Sequence, residues 1–149
     1  MIEFIIPGEP RGKGRPRVVR LKNGASTSYT PDKTVAYEEL ARQRFRQQWP
    51  SEELPFPDKT PVCVMITACF GIPKSTSKKV RAAMIEGRIN PTKKPDMDNV
   101  VKIVLDALNG FAWHDDAQVV DLSVMKVYTD QEPFVRVELM SLDEYRVPF

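Results

Sequence analysis

The chain has 149 residues, about one ordinary domain, enough to bury roughly 68–70% of its unfolded surface without disulfides or a structural metal. With 42% hydrophobic and 28% charged residues, and no apolar run near the roughly 18 residues of a membrane span, the composition is globular; collagens, secreted disulfide scaffolds and membrane proteins are excluded. Net charge is only +2, from 22 basic and 20 acidic residues, but the signs are segregated along the chain.

Residues 2–6 read as a short strand ended by Pro7-Gly8, and residues 8–16 as a loop with three glycines and two prolines. From Arg11 to Lys22 there are six bases (Arg11, Lys13, Arg15, Arg17, Arg20, Lys22) and no acid. Arg17–Arg20 and Ser26–Thr30 flank the turn signal Asn23-Gly24 and predict a small hairpin. Thr30-Pro31-Asp32 opens a helix to about Trp49, with Val35, Leu40 and Phe45, joined by Ala36, Tyr37 and Ala41, on its apolar side. Residues 50–61 are rich in proline and acid, a surface loop. Pro61–Gly71 reads as an apolar strand with Val62, Val64, Ile66, Ala68 and Phe70 on one face. Cys63 and Cys69 lie on this strand, roughly 20 Å apart at about 3.3 Å per residue, too far for a disulfide. Reduced packing cysteines fit a cytoplasmic protein. With His114 the only histidine, a Cys/His zinc site is excluded, and any metal must be held by carboxylates.

Ser75–Glu86 reads as a short basic helix with Ser75 or Ser77 as cap, and residues 87–97 as a proline- and lysine-rich connection. Lys74–Lys94 carries seven bases against Glu86 alone. Asp98–Asn109 is a helix closed by Gly110, with one polar stripe of Asn99, Lys102, Asp106 and Asn109. The sign of the charge reverses here: Asp96–Asp121 holds six aspartates, with Lys102 the only lysine or arginine. Val119–Tyr128 and Phe134–Met140 predict two strands, read as an antiparallel pair joined by Thr129–Pro133. The pattern defines an α+β fold: a single domain with a small, mostly antiparallel or mixed sheet packed with helices, a core over 1–140 and a tail over 141–149.

The acidic stretch carries the chemistry. If residues 95–98 are extended, Asp96 and Asp98 point to the same side, and Asp98 also suits the N-cap of the helix that follows. Lys102 lies one turn beyond Asp98. Asp115-Asp116 returns just after that helix, and consecutive elements are usually neighbours in space, so the second pair can approach the first. Gathered carboxylates repel one another and raise each other's pKa, a cost that a divalent cation relieves; oxygen ligands alone suit magnesium or manganese. Spacing alone leaves a plainer alternative: the aspartates as helix caps, Lys102 as a surface ion pair, and the basic runs as solvated faces.

The ordered set Asp96-Met97-Asp98-Asn99, Lys102, Asp106-Ala107-Leu108 and Trp113-His114-Asp115-Asp116-Ala117-Gln118-Val119-Val120-Asp121 resembles the RusA family of Holliday junction resolvases, small endodeoxyribonucleases of phages and bacterial prophages. The segment Arg11-Gly12-Lys13-Gly14-Arg15-Pro16-Arg17 and Tyr29-Thr30-Pro31 look like a common subgroup of that family. The resemblance implies a homodimer that binds four-way DNA junctions and cuts them symmetrically with Mg2+ (Mn2+ substituting), leaving 5′-phosphate and 3′-hydroxyl ends. It also implies a cytoplasmic protein encoded by a phage or prophage. Carried over residue by residue, the metal ligands are Asp96, Asp98 and Asp116 and the catalytic lysine is Lys102. Asp115 is a further candidate, and Asp106 and Asp121 are structural.

Charge and position add DNA-binding candidates: Arg11, Lys13, Arg15 and Arg17 on the glycine-containing loop, and Lys93 and Lys94 beside Asp96. In the family's best-known member this N-terminal segment is asparagine-rich, so its DNA role here follows from charge alone. Trp113 suits either base stacking or packing, with packing the expectation. His114 is a neighbour of the site. Competing readings are a non-catalytic DNA-binding or regulatory protein, and a nuclease for flaps or other branched DNA.

Overall fold

The computed structural model describes residues 1–29 and 31–146. Its first strand, β1 (Ile2–Pro7), alternates by the two-residue period: Phe4 and Ile6 are buried while Glu3 and Ile5 face away from them. β2 (Arg17–Arg20) and β3 (Ser26–Tyr29) pair antiparallel as a separate, fully exposed hairpin. Gly24 turns its corner at φ 85°, a left-handed conformation that favours glycine, and the Asn23 Oδ1 accepts from Ala25 N–H at 3.0 Å. The predicted end of this hairpin and start of the next helix, Thr30, lies outside the described residues.

Helix α1 (Asp32–Gln48) buries Thr34, Tyr37, Glu38, Ala41 and Phe45, a stripe at helical spacing. The expected apolar side was partly misplaced: Val35 and Ala36 face solvent, because the stripe is set by Tyr37 and Phe45, and residues 35 and 36 fall off that face. β4 (Val62–Gly71) is the most apolar strand and occupies the interior of a four-stranded sheet of order β1-β6-β4-β5, with β5 at Val119–Thr129 and β6 at Phe134–Ser141. β6 is antiparallel to both β1 and β4, whereas β5 runs parallel to β4. The predicted antiparallel β5–β6 pair is therefore corrected: β4 lies between them. The reason is burial. β4 is apolar on both faces and gains most from having a neighbour on each side, while β5, with exposed Val120, Leu122, Ser123 and Met125, takes the edge.

The parallel β4–β5 step needs a crossover, and two helices supply it. α2 (Lys78–Ile85) is shorter than the predicted 75–86 and is capped by Ser77, whose Oγ accepts from Val80 N–H. α3 (Met97–Leu108) buries Val100, Ile103, Val104, Ala107 and Leu108. The core lies between α1, α3 and the sheet face made by Phe4, Ile6, Val62, Val64, Ile66, Ala68, Phe70, Val135, Val137 and Leu139. Cys63 and Cys69 are buried and unbridged on the opposite side of β4. The tail continues past β6 as one helical turn, α4 (Leu142–Tyr145), tied down by Leu142 N–H to Pro61 O at 3.0 Å and by the Met1 ammonium to Glu144 at 3.0 Å. Among the described residues, no helix is long and apolar enough to cross a membrane.

Candidate active site

α3 begins one residue earlier than its spacing predicted. Asp96 is the N-cap residue, extended at φ −64° and ψ 150°, and makes no side-chain cap bond; Met97 and Asp98 are already helical. The expectation of an extended 95–98 segment with Asp98 as cap is thereby corrected. Asn99 and Val100 N–H donate to the Asp96 carbonyl, so the helix closes on Asp96 and carries Asp98 into its first turn. A carboxylate there is favoured by the helix dipole. Asp98, Lys102 and Asp106 then follow at intervals of four, a row along one face about 12 Å long at 1.5 Å per residue. Lys102 is exposed and forms no ion pair among the described residues.

The second aspartate pair is built by a tight turn. Gly110 reverses the chain at φ 81°, its N–H donating to Trp113 O at 2.8 Å. Trp113 is wholly buried, so packing is its role, and its indole N–H donates to Asp116 Oδ1 at 2.7 Å. A 3₁₀ turn over Asp116–Gln118 follows, capped by Asp115, which accepts from Ala117 N–H. Asp115 is exposed and Asp116 half-buried. Burial pushes the Asp116 carboxyl above its ordinary range; the Trp113 bond draws it down, and Asp106 and Asp115 push it up again. The neighbours that act on Asp116 are thus Asp106 and Asp115, at the far end of α3 from Asp98. Among the described residues, no three or more His, Cys, Asp or Glu side chains form a group close enough to hold a metal ion. Asp96 and Asp98 stand at the start of α3, whereas Asp116 lies in the 3₁₀ turn that follows the helix.

Sequence reasoning missed Gln118 as the residue that braces this turn. It is buried; its Oε1 accepts from His114 and Asp115 N–H at 2.9 and 3.1 Å, and its Nε2 reaches the carbonyls of Phe56, Pro57 and Thr60 at 2.9–3.3 Å. The signal was present, as the glutamine of the Asp-Asp-x-Gln-Val run. His114 is exposed beside the aspartates.

The basic loop 8–16 lies against the same helix. Lys13 N–H donates to Asn99 O at 3.0 Å, and Gly12 approaches so closely that an added Cβ would lie 2.9 Å from the Cβ atoms of both Pro95 and Asn99. Gly14 N–H donates to Thr34 Oγ1 at 3.1 Å. Lys13 differs from its loop neighbours. Its ammonium is turned inward, to Glu38 and, at 3.1 Å, to Asp106. Burial works against its charge, but the two carboxylates outweigh it and hold its pKa above the ordinary lysine value. Arg11, Arg15 and Arg17 are exposed, as are Lys93 and Lys94.

Lys126 on β5, absent from the sequence reading, fixes the approach to Asp96. Its ammonium donates to Lys93 O at 2.6 Å and Pro95 O at 3.0 Å, and lies 5.3 Å from the Phe70 ring centroid. Only the crossover brings β5 against that loop.

A mixed-sheet α+β domain that presents a row of aspartates and a lysine on one helix, with a cationic loop pinned to the same helix, has the features of a phosphodiester-processing protein. The chain belongs to the endodeoxyribonuclease RusA family, which it matches over residues 7–140. It is also 38% identical over 141 residues to YqaN, an uncharacterized protein of Bacillus subtilis (strain 168), a match covering 93% of this chain and 94% of that protein.

Proposed function

We propose that this protein resolves four-way DNA junctions as a homodimer, using a divalent cation to make paired symmetric nicks with 5′-phosphate and 3′-hydroxyl ends. Beyond family membership, one observation carries the reading: Asp98 and Lys102 share a helix face with Asp106, the carboxylate beside Asp116, while the arginine-bearing loop is bonded to the first turn of that helix. On this reading, chemistry and DNA-backbone binding would share one surface.

Asp96, Asp98 and Asp116 would hold the cation, with Asp115 in reserve; Mg2+ is the expected ion and Mn2+ its substitute. The donor set fits. The aspartates' carboxylate oxygens are the hard donors that magnesium takes, and it is usually bound by one or two carboxylates plus waters and substrate phosphate. Asp116 is a carboxylate whose charge is disfavoured by burial and acidic neighbours, the condition a cation relieves. When bound, such an ion polarises the phosphodiester and lowers the pKa of an attacking water. Lys102, exposed and unpaired among the described residues, is free to donate to the phosphate oxygens as negative charge builds on them. Trp113 holds Asp116 in one orientation, and Arg11, Arg15 and Arg17 position the backbone without reading sequence.

The test is cutting of a synthetic four-way junction with Mg2+, beside a flap and a linear duplex. Wild type should nick the junction in opposed strands, and Asp98→Asn should lose at least about 100-fold in rate while binding the junction as tightly or more so, since a charge facing phosphate is removed. Equal rates for the two proteins defeat the assigned chemistry; preferential flap cutting changes the substrate. A monomer by analytical ultracentrifugation at working concentration removes paired cutting.

A further inference from the structure

Where the 11–14 loop meets the start of α1 and the 94–99 segment there is an open cavity of about 380 Å³. Arg11, Lys33, Lys94 and Asp96 line it, with the backbone-approaching Gly12 and Asn99 at its floor. Lys13 also borders it, but its charge is taken up by Glu38 and Asp106. Arg11, Lys33 and Lys94 are exposed and in no ion pair among the described residues. Three uncommitted cations against the single carboxylate of Asp96 leave the cavity net positive. α1 starts at its edge with Pro31 as the cap residue and carries Asp32 in its own first turn, which offsets the positive end of the helix. The field in the cavity is therefore that of the three side-chain cations.

We infer that this cavity is a second phosphate site, in which Arg11, Lys33 and Lys94 hold a DNA backbone phosphodiester neighbouring the one presented to Asp96 and Lys102. The inference rests on the proposed nuclease function and extends it by naming Lys33, a helix residue outside both basic runs, as a DNA contact. Shape supports a backbone group rather than a base. The cavity is ringed by long cationic side chains and a glycine held against the helix, and among the described residues that line it there is no aromatic ring on which a base would stack. Arg11 brings a planar donor fork suited to two phosphate oxygens, and the two lysines bring point charges.

The experiment measures equilibrium binding of a fluorescent four-way junction without divalent metal, across a salt series, for wild type, Lys33→Gln and Arg44→Gln. Both exchanges remove one positive charge from α1, but residue 44 is about 16 Å further along the helix, beyond the Debye length at physiological salt. One lost phosphate contact should reduce the slope of log K against log salt by about 0.9 for Lys33→Gln and weaken binding several-fold, equally on junction and duplex; Arg44→Gln should leave the slope unchanged. A Lys33→Gln slope equal to that of wild type, or matched by Arg44→Gln, overturns the phosphate site. Cutting of the same junction by wild type with Mg2+ is read in parallel. A slope change without any cutting keeps the phosphate site and defeats the nuclease reading; cutting without a slope change does the reverse.

Discussion

Lys13 shows how one side chain changes meaning between sequence and fold. Among Arg11, Arg15 and Arg17 it reads as one more phosphate contact, yet its ammonium is spent on Glu38 and Asp106, which tie the loop to α1 and α3 together. Glu38 is itself shared with Arg42, so the group is a small, half-buried network. Lys13→Met leaves two carboxylates short of a partner and should cost about 2 kcal/mol, measured by urea unfolding. The sign with pH follows from the raised pKa. A lysine whose folded value exceeds its unfolded 10.5 contributes fully below that value and loses its contribution as pH rises through the folded one. The stability gap between wild type and Lys13→Met should therefore be flat from pH 6 to 9 and shrink only above about 10.5; a gap that closes already by pH 8 would show that the ammonium is not what holds the loop. Gln118 is the other residue whose weight is tertiary. Gln118→Met removes hydrogen bonds to three carbonyls and two amides, and should cost about 3 kcal/mol or more in thermal or chemical unfolding. A loss under about 1 kcal/mol would mean that water replaces those bonds at no penalty.

Among the elements, α3 was the most legible. Its apolar positions recur at helical spacing, Gly110 ends it, and the start fell within one residue of expectation. What spacing missed is that Asp96, not Asp98, takes the cap position, because the Asp96 carbonyl already accepts from Asn99 and Val100. The approach to that cap is set from another element: Lys126 of β5 bonds the carbonyls of Lys93 and Pro95 from more than thirty residues away. Lys126→Met should leave junction binding within about threefold of wild type but lower the cutting rate at saturating protein about tenfold, with Lys126→Arg recovering much of it. Equal loss in binding and in rate would instead make Lys126 a DNA contact. The hairpin β2–β3 and helix α2 were legible for simpler reasons, Asn23-Gly24 and a serine cap.

At the scale of the molecule, β4 is the centre: it pairs on one side with β6 and on the other with β5, and its even-numbered residues meet α1 and α3. Cys63 and Cys69 sit in this strand, 1% and 5% exposed, and burial raises both thiols above their ordinary pKa. Their reaction with a thiol reagent should therefore follow opening of the sheet rather than solvent contact: slow labelling in native buffer, complete labelling of both in denaturant, and a native rate that scales with global stability across destabilised variants. Immediate native labelling of either one would place it outside the core.

Residue order alone determined the class of fold, the identity of nearly every helix and strand, the segregation of acid from base, the absence of a disulfide and the family signature. Each of these depends on neighbours within a turn or two, or on side-chain chemistry that travels with the residue. Tertiary structure alone decided that β4 separates β5 from β6, that Lys13 faces inward, that Lys126 reaches the loop before Asp96, and that Lys33 joins Arg11 and Lys94 around one cavity. Those partners lie about 20 to 90 residues apart along the chain. Which of them meet is settled by the burial of whole apolar faces against each other, a long-range choice that no local pattern encodes.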